Sequence, residues 1–299
     1  MPIKGIPQII ANYARGLLMG GADIIPGVSG GTVALIVGIY ERLVHCIKLV
    51  FDSLVALLRG SVPDFRRHLA EVEWLLIFPL FAGIVTALLI GAAFIPDLLE
   101  NYPVQMRALF FGLIVGSLTI PWRRMTERGP RALALAVASA VAAFVLVGLP
   151  AREAVDPSLW SVFLMAAVAI CAMILPGVSG AFFLLVFGIY EPTLTAIDNR
   201  ELLYVAVFGA GAAVGLGSFS GILNWLLEHY HDLTMAVLLG LMGGSLRALW
   251  PWITVDRSLL LPDSTDNILL PVALMIAGVV FVLALSRFSG PELRNATTA

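Results

Sequence analysis

The chain has 299 residues, 60% hydrophobic and 13% charged, with a mean hydropathy of +0.96 and a formal net charge of −2. A soluble domain carries roughly a quarter charged residues, so the composition excludes one, and the apolar runs reach the about 20 residues that a membrane-spanning helix needs. The scattered Lys and Arg give no surface for nucleic acid, and Cys46, Cys171 and the four histidines lack metal or disulfide spacing, so no metal is expected.

In chain order, an apolar arm over residues 8–25 stops at Pro26. Arg15 and Asp23 interrupt it and no small-residue cleavage site follows, so it does not read as a removable signal peptide. A second arm starts at Gly30 and weakens towards Leu58, completing a hairpin over 8–58. A charged linker, 59–73, carries Arg59, Asp64, Arg66, Arg67, His68, Glu71 and Glu73. Apolar segments at about 74–96, 104–122 and 131–149 follow, and 150–158 is a polar hinge. The second half repeats the order: a hairpin over 159–197, a turn at Asp198–Glu201, and segments at about 202–226, 233–250 and 268–286.

The order repeats because the sequence does. Pro26–Glu41 reads PGVSGGTVALIVGIYE and Pro176–Glu191 reads PGVSGAFFLLVFGIYE, ten identities in sixteen positions at an offset of 150. Further on, Leu98-Leu99-Glu100 and Tyr102 match Leu226-Leu227-Glu228 and Tyr230, and Gly112 and Gly116 match Gly240 and Gly244, at an offset of 128. The first half therefore holds 22 extra residues, placed around Lys48–Glu73. The domains predicted are a first repeat over 1–149 and a second over 159–299. Lys- and Arg-rich loops stay in the cytoplasm. Arg123, Arg124, Arg128 and Arg131 put the 123–131 turn there, and counting crossings puts both termini inside. Three crossings per half invert the second half. The predicted fold is an all-α polytopic membrane protein with an inverted-topology internal repeat, each half a broken or re-entrant helical hairpin plus three transmembrane helices.

Pro26 ends the first arm because it lacks an N–H and disfavours helix just before it. Ser29 then suits the N-cap of the next arm, and Thr32 its first turn. Irregular backbone at membrane depth needs a protein or polar cavity to satisfy it. If the hairpins enter from opposite faces, both tips aim helix N-termini at one interior spot suited to an anion such as phosphate. The candidate phosphate-binding residues are Gly27, Ser29, Gly30, Gly31, Thr32, Gly177, Ser179 and Gly180. PGVSG as a plain interhelical turn is the alternative. Asp23, roughly 4–5 Å along the helix from Pro26, is a carboxylate inside the bilayer, suited to proton coupling, to capping a helix end or to pairing with an arginine. Its counterpart is Met173, so its role is performed once. Glu41 and Glu191, some 12 residues and roughly 18 Å past the tips, are read as gating or interfacial anchors, with Tyr40 and Tyr190 at the interface. Arg15, Arg107 and Arg247 guide a headgroup or snorkel. The α-helical glycines Gly209, Gly211, Gly215, Gly217 and Gly221 suit close helix packing.

The run Arg15-Gly-Leu-Leu-Met-Gly-Gly-Ala-Asp23, with Pro26–Thr32, Gly38-Ile-Tyr-Glu41 and the second PGVSG at Pro176, resembles the bacterial undecaprenyl-phosphate (polyprenyl-phosphate) translocase family across the whole chain. The resemblance implies a transporter in the bacterial cytoplasmic (inner) membrane. It would flip undecaprenyl phosphate, or another polyprenyl-phosphate lipid, from the outer to the inner leaflet and so recycle the lipid carrier of cell-wall synthesis. No cofactor is expected beyond coupling to protons or Na+, and the partners expected are that lipid and the surrounding membrane lipids. Two other readings stand beside it. Undecaprenyl-pyrophosphate phosphatases look similar, but their Pro-Gly-x-Ser motif continues with arginine and serine, where this chain has Gly30-Gly31 and Gly180-Ala181, and the broken arms lack a Glu-x-x-x-Glu pair. A transporter of a small soluble anion would need the same midplane site.

Overall fold

In the computed structural model, residues 6–24, 29–150, 157–254, 256–263 and 267–288 are described. Pro26 and Gly27 lie outside them, as does most of the expected 150–158 hinge. Every described element but one isolated bridge, Ile253 with Leu259, is helical. The first half holds α1 (Ile6–Asp23), α2 (Gly30–Ile36), α3 (Tyr40–Leu58), α4 (Val62–Glu71), α5 (Trp74–Asn101), α6 (Pro103–Ser117), α7 (Thr119–Arg124) and α8 (Pro130–Val147). The second half holds α9 (Leu159–Ile174), α10 (Gly180–Phe187), α11 (Tyr190–Asp198), α12 (Leu202–His229), α13 (His231–Ser245) with a 3-10 turn (Leu246–Leu249), and α14 (Leu269–Phe288).

Six helical stretches are long and apolar enough to cross a membrane: Trp74–Ile95, Pro103–Arg124, Pro130–Val147, Leu202–His229, His231–Leu249 and Leu269–Ser286. Large apolar side chains point outward along them, with Leu89 73% and Phe78 65% exposed, as a lipid-facing surface requires. The pair α10 and α11 is bent by 99°, a broken span or re-entrant loop.

The breaks in the hairpins differ from expectation at one point. Each outgoing arm is broken a second time, at the Gly-Ile-Tyr-Glu end of the motif. Gly38 and Gly188 sit there at φ +78° and +74°, a conformation that stops an α-helix and favours glycine. The 59–73 linker is also largely helical, as α4: Pro63 starts it, and Ser61 donates to Asp64 in its first turn.

Glycines set how the spans pair, because backbones touch where a side chain is missing. Gly16 lies on Leu80 and Gly20 on Ile84; Gly211 lies on Phe163 and Gly215 on Ala167. Gly112 meets Met275 and Gly116 meets Val279; Gly240 meets Ala136 and Gly244 meets Ala140. In all four pairs the numbers rise together, so α1 runs parallel to α5, α9 to α12, α6 to α14 and α8 to α13. Gly217 packs on the Phe51 ring of α3, whereas Gly209 and Gly221 face open space, so only part of the α12 stripe serves packing.

The helix directions define two ends. The first carries the 123–131 turn, the start of α13 and Glu73. There the Asp232 carboxylate accepts from the N–H groups of Thr126 and Glu127, at 3.0 and 2.7 Å. The second carries the start of α6, the end of α8 and the 250–263 loop, where Arg107 donates to Ile253 O at 3.1 Å and Arg257 to Val147 O at 3.1 Å. α1 starts at the first end and α9 at the second.

Candidate functional site

The two motif copies meet in the interior. Ser29 caps α2: its oxygen accepts from Gly31 N at 3.1 Å, and its hydroxyl donates to Met173 O, at 3.1 Å, at the end of α9. Thr32 accepts from Gly177 N at 2.8 Å. Gly31 rests against the Ile174 carbonyl so closely that an added Cβ would come within 2.6 Å of it. Tyr40 donates to that same carbonyl at 3.2 Å. Ser29 and Thr32 are each 1% exposed, so the bonds between the tips are shielded from water and lipid.

Gly177 requires a missing side chain twice over. Its φ is +82°, and a Cβ would come within 2.7 Å of Met242 Cα on α13. The second tip is thereby pressed on α13 while the first is pressed on the second.

The tips are not equivalent. The Asp23 carboxylate accepts from Gly30 N at 2.6 Å, the place where an anion on the N-terminus of α2 would sit. Of the roles open to Asp23, this geometry is the helix cap, and its carboxyl oxygen occupies the N-terminal seat of α2. Gly30 has no room for a side chain because Asp23 Oδ2 lies within 2.5 Å of where its Cβ would be. At the second tip Met173 replaces Asp23, and Ser179 makes no side-chain bond to cap α10. Gly180 packs instead against Ala169 O of α9.

The remaining candidates fall outside this junction. Glu41 pairs with Arg124 at 3.0 Å and with His231 at 3.5 Å, at the first end. The straight-helix separation of Glu41 from the tip does not apply, since the break at Gly38 folds the chain. For the same reason Tyr40 is not interfacial: it is 1% exposed and bonded to the second tip. Glu191 is exposed on α11 and makes no ion pair among the described residues. Arg15 bonds Asn12 Oδ1 at 2.8 Å on α1. Asn12 itself is fully buried and donates to Leu75 O at 2.8 Å, a polar tie between α1 and α5 that periodicity within an apolar arm did not reveal. Arg247 donates to Phe144 O at 3.2 Å and to Arg257 O at 3.3 Å. Sequence reasoning missed Arg257, which stands in the 251–267 loop with Asp256, Asp263 and Asp266, so that the loop's charge is acidic.

The undecaprenyl phosphate translocase-like (VCA0040-like) family matches residues 19–267. A polyprenyl-phosphate transporter of Vibrio cholerae is 35% identical over 94% of this chain and 97% of its own. A polyprenyl-phosphate transporter of Staphylococcus aureus is 28% identical over 93% of this chain and 96% of its own. No solved structure matches. The matched span contains both motif copies and the interior junction between them, and the chain belongs to the undecaprenyl phosphate translocase-like family.

Proposed function

We propose that this chain is a polyprenyl-phosphate transporter, and not a phosphatase, that moves undecaprenyl phosphate from the outer to the inner leaflet with the headgroup passing the junction of the two tips. The two relatives are named for that substrate, and the observation that carries the mechanism is the Thr32–Gly177 contact joining the two motif copies. The phosphate would be held at this junction by Ser29, Gly30, Gly31 and Thr32 from one side and Gly177, Ser179 and Gly180 from the other; Gly27, also a candidate, lies outside the described residues. The prenyl tail would stay in lipid.

An inverted repeat accounts for this arrangement. Its support is that exchanging the halves turns the α1–α5 pair into α9–α12 and the α6–α14 pair into α13–α8. The 123–131 turn, with four arginines, sets the first end in the cytoplasm. Both termini are then cytoplasmic, α1 enters from inside and α9 from outside. Rocking of one repeat on the other opens the junction to each leaflet in turn.

Asp23 is the coupling group in this account. Its carboxylate and the substrate phosphate compete for the amides of α2, and two anions on one helix N-terminus repel each other. Taking up a proton, or pairing with Na+, lets Asp23 yield the seat to phosphate. Glu41, tied to Arg124 and His231, gates the cytoplasmic side, and Glu191 faces the other. In proteoliposomes loaded with undecaprenyl phosphate, Asp23→Asn and Ser29→Ala abolish headgroup transport while the melting temperature stays within a few degrees of wild type. Full transport by both variants would remove this site.

A further inference from the structure

At the second end, Arg247 and Arg257 stand together, and among the described residues no acid pairs with either. Arg257, held in the left-handed region at φ +65°, donates once, to Val147 O, and its guanidinium lies 4.6 Å from the centre of the Phe182 ring. Arg247 crosses the Phe144 ring at 4.7 Å, and its Nε is buried without a hydrogen-bond partner. Among the described residues no carboxylate lies within ion-pair distance of either. Asp256, the neighbouring acid, is taken by the hydroxyls of Thr254 and Ser258.

Capping the C-terminus of α8 explains part of this, since Phe144 and Val147 belong to its last turn. A helix C-terminus, however, offers roughly half a negative charge, and two guanidiniums bring two positive ones. Burial and the nearness of Arg247 both push the Arg257 pKa down, which is the mark of a cation whose surroundings do not balance it. A guanidinium has five donors, and among the described residues Arg257 uses one on protein. Phe182, the ring beneath Arg257, lies in the first turn of α10, which Ser179 leaves uncapped.

We infer that Arg247 and Arg257 form a receiving site for a phosphate monoester dianion, at the second end, beside the second tip. This rests on the transporter reading and adds to it the step before the junction: the headgroup is first neutralised by the two arginines, then passed along the first turn of α10. Guanidiniums suit it because their planar donors match phosphate oxygens in pairs.

The test is calorimetric binding of farnesyl phosphate to the full chain in nanodiscs, with inorganic phosphate and farnesol as companion probes. Wild type binds farnesyl phosphate and not farnesol. Arg247→Gln and Arg257→Asn each weaken binding by about tenfold or more; asparagine is chosen because it tolerates positive φ. Arg257→Lys, which keeps the charge and loses the paired donors, weakens binding less than Arg257→Asn, and thermal melts show every variant folded. Equal binding of inorganic phosphate would identify free anion as the ligand of the site, and binding of farnesyl phosphate alone the lipid headgroup. Absent binding by wild type, or unchanged affinity in folded Gln and Asn variants, overturns the site. If wild type flips undecaprenyl phosphate and the arginine variants bind and flip as it does, only the arginine site fails; if wild type flips none, the transporter reading fails.

Discussion

Thr32→Val removes the oxygen that accepts from Gly177 N while keeping the shape of the side chain. It leaves a buried N–H unpaired, at a cost of about 1–3 kcal/mol, and a thermal melt should register the loss together with slower transport. Gly177→Ala is expected to cost about 1–3 kcal/mol through its positive φ, before the approach of α13 is counted. Gly209→Ala and Gly221→Ala, with nothing within 4 Å, are expected to leave the melting temperature unchanged or raise it, by up to about 1 kcal/mol of helix propensity. The sequence picked out Ser29 and Gly177 because a five-residue break kept in both copies of a duplication marks a shared task, and Thr32 because it lies in the first turn after that break. It was silent on Arg257 and Asn12. One arginine in an acidic loop and one asparagine in an apolar arm carry no pattern, and both acquire partners only through tertiary packing.

Two elements tie the first hairpin down at the first end, and their chemistry separates them. Arg42 donates to the Glu73 carboxylate, holding α3 to the start of α5 and the carboxyl below its usual range. A depressed carboxyl stabilises the fold above its unfolded pKa and loses that contribution as the pH falls through its folded value. Glu73→Gln should therefore lower stability at neutral pH by ~0.5 kcal/mol, the pair being partly exposed. The difference from wild type should fade below about pH 4, as melts across a pH series would reveal. Glu41→Gln loosens α3 from α7 and α13 and is expected to alter transport, whereas Glu191→Gln, on exposed α11, should do so less. Seven of the long helices were legible in hydropathy alone, as runs over α1, α5, α6 with α7, α8, α12, α13 and α14. The second break was not. Gly38 and Gly188 each stand in an apolar run that hydropathy carries straight through, and only the positive φ makes the glycine a stop.

At the scale of the molecule, two of the four parallel pairs interlock the halves: α6 of the first binds α14 of the second, and α13 of the second binds α8 of the first. A movement of one hairpin must therefore be felt through α13, on which the second tip is pressed at Gly177. Crossing parity and loop charge sufficed to anticipate that α1 and α9 start at opposite ends, because those rules depend on order and not on packing. The inequality of the two tips was beyond their reach, since Asp23 stands opposite Met173 and makes a hydrogen bond to Gly30 N that depends on tertiary structure. The most direct measurement is photocrosslinking with a polyprenyl phosphate bearing a diazirine on the isoprene unit next to the phosphate. The account predicts label on peptides covering residues 29–32 and 173–182, displaced by unlabelled undecaprenyl phosphate. Label confined to the lipid-facing sides of α5, α8 and α14 would contradict it.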